Sequence, residues 1–105
     1  MRIQINTDGN IEGDAALVQQ IQAVVRDSLD RFSEQVTRVE VHLSDQNSDK
    51  RFGTQDKRCL LEARLKGLQP ISVSDSAATL EQAVDGAVEK LTRSLDSTLG
   101  RIRER

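Results

Sequence analysis

Val36-Thr37-Arg38-Val39-Glu40-Val41-His42-Leu43-Ser44 alternates side chains of opposite character, and its reading decides the fold. Successive side chains of a strand point to opposite faces. Thr37, Val39, Val41 and Leu43 therefore share one face, and Arg38, Glu40 and His42 the other. One face is expected in a core and one in water, as in a sheet covered on a single side. Lys57 to Lys66 repeats the pattern, with Cys59, Leu61, Ala63 and Leu65 inward and Arg58, Leu60, Glu62, Arg64 and Lys66 outward. Upstream, Arg2-Ile3-Gln4-Ile5-Asn6 gives a short strand with Ile3 and Ile5 inward. Downstream, Gly67 and Pro70 bracket a turn, and Ile71 with Val73 makes a last short strand.

Between and after these strands the spacing changes from two to three and four. Leu17, Ile21, Val24, Val25, Leu29 and Phe32 form one apolar stripe, predicting a helix over about 14–32 with Asp14 as its cap. Arg26 with Asp30 and Asp27 with Arg31 stand at i,i+4 on its outer face. Leu80, Val84, Val88, Leu91, Leu95 and Leu99 predict a second helix over 80–99, with Thr79 and Gln82 at capping-box spacing and Gly100 as its stop. The order is β-α-β-β-β-α. Two amphipathic helices on one face of a four-stranded mixed sheet satisfy every stripe at once, an α+β fold. The first two strands, joined through a helix, are expected to be parallel neighbours.

The chain has 105 residues, the length of one domain, and 1–105 reads as a single unit. Cys59 is the only cysteine, so no internal disulfide forms, which suits a reducing compartment. Met1 to Asn10 lacks the features of a signal peptide, and no apolar run approaches the roughly 20 residues of a membrane span. The expected location is the cytoplasm. Two Phe and no Trp or Tyr argue against stacking of bases or sugars on rings. The net charge of −2 is uneven: residues 1–56 carry six basic and ten acidic side chains, residues 57–105 nine basic and seven acidic. An anionic partner should meet the C-terminal half.

Enzyme chemistry finds little support. His42, the only histidine, falls on the wet face and Cys59 on the core face, so they do not make a nucleophile–base pair. Asp45-x-Asn47-x-Asp49, with Asp56 in twelfth place, imitates a calcium loop. Lys50 stands where that loop needs Gly, and its last ligand should be Glu. A solvated loop over 45–56 is expected, with no metal and no cofactor. Arg2, Arg38, Arg58 and Arg64 share the wet face of the sheet with Glu40 and Glu62, which reads as cross-strand ion pairing. The second helix sorts its charges. At about 100° per residue, Lys90, Arg93, Ser97 and Arg101 form a basic strip, while Glu81, Asp85, Glu89 and Asp96 lie on the opposite flank. Arg103 and Arg105 add positive charge beyond Gly100.

The element order resembles that of a known family, as do three segments: Thr37-Arg38-Val39-Glu40-Val41-His42-Leu43-Ser44-Asp45, Asp56-Lys57-Arg58-Cys59 running into Glu62-Ala63-Arg64, and Leu80-Glu81-Gln82-Ala83-Val84 leading to Lys90-Leu91-x-Arg93. The family is that of the ribosome hibernation-promoting factors and ribosome-associated inhibitors, also called sigma-54 modulation or S30EA proteins, here in a short form. The resemblance covers nearly the whole chain. It implies a fold similar to double-stranded-RNA-binding domains. It also implies a non-enzymatic, stress- and stationary-phase factor that docks on the small ribosomal subunit and blocks the mRNA and tRNA channel. The implied partner is 16S rRNA, in the free subunit or the 70S ribosome, with no membrane and no DNA. Its RNA contacts carry over to Lys90, Arg93, Arg101 and Arg31, and Arg103 extends the strip. Ser97 stands where a basic residue is usual. No C-terminal dimerisation domain is expected. The competing reading is a protein-interaction or regulatory module on the same fold with little RNA affinity, favoured by the acidic N-terminal half.

Overall fold

In the computed structural model, residues 1–8, 15–45 and 57–103 are described. Five of the six expected elements are close to their expected bounds: β1 (Arg2–Thr7), α1 (Ala15–Leu29), β2 (Val36–Asp45), β3 (Lys57–Leu65) and α2 (Leu80–Arg103). The sixth, β4 (Ile71–Ala77), is longer than Ile71 and Val73 suggested. Its extension keeps the alternation, with Asp75 and Ala77 inward and Ser74 and Ser76 outward, so the ladder with β3 continues from Ala63–Ile71 to Lys57–Ala77. Gly67 makes the turn before it with a φ of +68°, a left-handed conformation that costs glycine little.

The sheet order is β1-β2-β3-β4. β1 runs parallel to β2, and the other two pairs are antiparallel. The expected mixed sheet forms, with α1 over β1 and α2 across β3 and β4. Val39, Val41, Leu43, Cys59, Leu61, Ala63 and Leu65 from the sheet pack against Ile21, Val25 and Leu29 of α1 and Val84, Leu91 and Leu95 of α2. Burying each Val, Leu or Ile among them contributes roughly 1.5–3 kcal/mol. Ala83 and Ala87 keep the same stripe narrow, letting α2 lie close on the strands.

Four details depart from the expectations. Val36, not Thr37, is the buried residue at the start of β2. The ladder with β3 shifts register between Val36 and Arg38. One extra residue at a bulge lets Val36 and Val39, three apart, share the core face. The first helix ends its α-helical run at Leu29 and closes with a 3-10 turn, Asp30–Phe32, whose tighter winding moves Arg31 off the line above Asp27. Among the described residues neither expected pair, Arg26–Asp30 or Asp27–Arg31, forms. Arg31 reaches Asp96 of α2 instead. Finally, Gly100 does not stop α2, which runs on to Arg103. Its backbone is not left-handed, and glycine weakens a helix interior by about 1 kcal/mol without ending it. At the other end the cap is as expected: Thr79 Oγ1 accepts from the Gln82 backbone N–H at 3.1 Å. Asp14 and the 46–56 part of the calcium-like loop lie outside the described residues.

Candidate nucleic-acid interface

The basic strip of α2 exists as a geometric feature, but tertiary packing changes its chemistry. The apolar stripe faces the sheet, so Lys90, Arg93, Ser97 and Arg101 come to the flank of α2 and all are exposed. That flank overhangs the edge strand β4. Lys90 Nζ donates to the Ser74 carbonyl at 2.8 Å and to Asp75 Oδ1 at 3.1 Å. Asp75 can lie there because Gly86 sits above it. A Cβ at Gly86 would collide with the Asp75 carboxylate. Arg93 pairs with Glu89, one turn earlier on the same helix.

Arg31 stands apart from that flank. Its guanidinium grips Asp96 through two hydrogen bonds of 2.8 and 3.0 Å, and lies 4.3 Å from the centroid of the Phe32 ring. The hydrogen bond to Asp96 raises its already high pKa. This fork ties the turn after α1 to the acidic flank of α2 and borders a shallow hollow with Leu99 and Gly100. Arg101 is exposed and carries no carboxylate partner among the described residues. Arg103 closes α2, and its side chain is outside the described part. The strip is thus assembled, but Lys90 and Arg93 are paired with carboxylates and Arg31 is held elsewhere.

The sequence pattern does not link Asp75 to Lys90 or Asp96 to Arg31. A signal existed for Asp75: continuing the alternation past Val73 puts it inward under the helix, and Gly86 leaves room above it. Arg31 and Asp96 are 65 positions apart, and nothing local links them.

On the other face of the sheet, the ion pairs run along the strands and not across them. Arg38 meets Glu40 at 3.7 Å and Arg64 meets Glu62 at 3.5 Å. Arg38 also donates to the Gln4 side-chain carbonyl of β1. Cys59 is fully buried on the core face, and burial, helped by Asp75, pushes its thiol from 9.0 up to about 12. His42 pairs in register with Leu60 on the opposite face. The two groups are held on opposite sides of the sheet, so no nucleophile–base pair forms between them. No helix among the described residues is long and apolar enough to cross a membrane.

The chain matches the family described as Sigma 54 modulation protein / S30EA ribosomal protein over residues 3–103. Two solved structures share the fold. The N-terminal domain of Protein Y from Thermus thermophilus superposes with a TM-score of 0.73 at 23% identity, over 93% of this chain and 99% of that one. A ribosomal subunit interface protein from Coxiella burnetii gives a TM-score of 0.66 at 18% identity, over 100% of both chains. At these identities the likeness is one of fold. No curated protein matches the chain. With the family pattern matched from Ile3 to Arg103 and the fold in place, the chain belongs to the sigma 54 modulation protein / S30EA ribosomal protein family.

Proposed function

We propose that this protein is a ribosome-associated hibernation factor that docks, as a single domain, on the small ribosomal subunit and idles it by filling the mRNA and tRNA channel. The observation that carries this reading is the family match over residues 3–103. The name of one structural neighbour, a ribosomal subunit interface protein, supports it. Occlusion needs no reacting group: a rigid body held by phosphate contacts keeps mRNA and tRNA out. Lys90, Arg93, Arg101, Arg31 and Arg103 supply the helix-side contacts to 16S rRNA. Of the four with described side chains, Arg101 is the most available, while Lys90, Arg93 and Arg31 must share their charge with Asp75, Glu89 and Asp96.

That sharing is the observation that favours the second reading, a protein-interaction module on the same fold with little RNA affinity. In-vitro translation separates them. A hibernation factor lowers synthesis stoichiometrically with ribosomes, and replacing Lys90, Arg93 and Arg101 by Gln relieves part of the inhibition. An interaction module leaves synthesis unchanged at a tenfold excess over ribosomes.

A further inference from the structure

The open face of the sheet carries a feature that the helix strip does not explain. Register places Arg2 beside Arg38, and Arg38 beside Arg64, so three arginines form one straight row across β1, β2 and β3. Adjacent strands lie about 4.8 Å apart, so the row is about 10 Å long at the backbone. The next row is Gln4, Glu40, Glu62 and Ser72. Like charges directly opposite one another destabilise a sheet. This face holds two such Arg–Arg neighbours, although exchanging Arg64 with Glu62 would have removed one of them together with the Glu40–Glu62 opposition.

The arginines are also incompletely satisfied. Arg38 and Arg64 meet their glutamates at 3.7 and 3.5 Å, near the outer limit of an ion pair, with side chains 39% and 54% exposed. Arg2 is exposed and has no carboxylate partner among the described residues. With Arg58, the open face carries four arginines against two glutamates, a net +2. The helical layer has none to spare: α1 and its 3-10 turn hold two arginines and two aspartates, and α2 holds four cations and four carboxylates. The excess positive charge of the described layers is on the sheet.

We infer that Arg2, Arg38 and Arg64 form an anion-binding row that takes consecutive phosphates of an RNA backbone. The inference rests on the ribosome reading and extends it, since a body filling a channel meets walls on more than one side. Guanidinium forks suit phosphate oxygens. The face offers no aromatic ring for base stacking among the described residues. Among the described residues the one exposed large apolar side chain is Leu68, in the turn before β4, so the face lacks the anchor that a protein partner would fill. Backbone phosphates are the chemistry that remains, and such contacts position without reading sequence.

The test compares the full chain with an Arg2→Gln/Arg38→Gln/Arg64→Gln variant, titrated onto small ribosomal subunits and onto protein-free 16S rRNA between about 50 and 200 mM salt. Three lost phosphate contacts flatten the log affinity against log salt slope by about 2 to 3, so the unmodified chain should lose roughly 15- to 60-fold more affinity than the variant over that range. The variant's melting temperature should change little, because two like-charge oppositions go together with two long, exposed Arg–Glu pairs. If the triple variant does not fold, Arg64→Gln alone should flatten the slope by about one. Equal slopes for variant and unmodified chain overturn the row. A difference on subunits with none on protein-free rRNA assigns the row to an acidic ribosomal protein and overturns the phosphate ligand. No binding of the unmodified chain to subunits at low salt overturns the ribosome reading itself, and the row with it.

Discussion

Gly86 can be tested as the residue that lets Asp75 hold Lys90. In an ordinary helix, Gly→Ala gains about 1 kcal/mol from propensity. Here the new Cβ meets the Asp75 carboxylate, which must turn away. Turning costs the Lys90 pair, whose side chains are 53% and 29% exposed, so about 0–1 kcal/mol. An off-rotamer aspartate adds about 0.5–1.5 kcal/mol. Gly86→Ala in the natural background should therefore come out between about 0.5 kcal/mol stabilising and about 1.5 kcal/mol destabilising. In an Asp75→Ala background the obstacle is gone, and the same substitution should stabilise by about 1 kcal/mol. The double-mutant cycle then shows a coupling of about 0.5–2.5 kcal/mol, within the range for touching residues. Urea unfolding of the four proteins measures it, and for a domain of this size each kcal/mol moves the melting temperature by roughly 4–8 °C. Equal stabilisation by Gly86→Ala in both backgrounds would refute the packing of Asp75 under α2, and with it the restraint on Lys90.

Four further outcomes are expected. Cys59 should react slowly with a thiol reagent in the native protein and fast in denaturant, and fast native labelling would mean that β3 is displaced by one residue. The native thiol keeps its proton up to about 12 while the unfolded thiol ionises near 9.0, so the contribution of Cys59 is whole below about 9 and falls as pH rises toward 12. The unfolding midpoint should drop more steeply across that window than in Cys59→Ala, and parallel pH curves would contradict the burial. Leu91→Ala, at a fully buried position on the sheet-facing side of α2, should cost about 2–5 kcal/mol in chemical denaturation, and a loss under 1 kcal/mol would place Leu91 outside the core. Lys90→Gln with Arg93→Gln should keep the helical circular dichroism and cost at most about 1 kcal/mol. It should weaken ribosome association, and unchanged association would remove both residues from the interface. Glutamine suits this test better than glutamate, which at position 90 would face Asp75.

The layers of the fold were legible because the core depends on spacing alone. Val39, Val41 and Leu43, and Cys59, Leu61 and Ala63, are pairs of stripes that fit only a half-covered sheet. Leu91, Leu95 and Leu99 fit only a helix upon it. What spacing could not show was a change of spacing within an element. Val36 enters the core because a bulge adds one residue, and Arg31 leaves its expected neighbour because the helix tightens. Gly100 looked like a stop because glycine is common there, but nothing in its surroundings demands a left-handed backbone. The candidate interface was less legible for a related reason. Charge sorting along α2 is local and could be read. Its neutralisation by Asp75 depends on β4 passing beneath that flank. The row of Arg2, Arg38 and Arg64 depends on strand register, whereas the alternation assigns only the face.

The most direct measurement of the central claim is co-sedimentation of the purified chain with small ribosomal subunits across a salt series. A protein held by several phosphate contacts should pellet near stoichiometrically at about 50 mM salt. It should be released steeply by about 200 mM, because affinity falls with a log–log slope near the number of phosphates neutralised. A chain that stays in the supernatant at low salt, or pellets equally at both, would contradict docking on rRNA through its arginines and lysines.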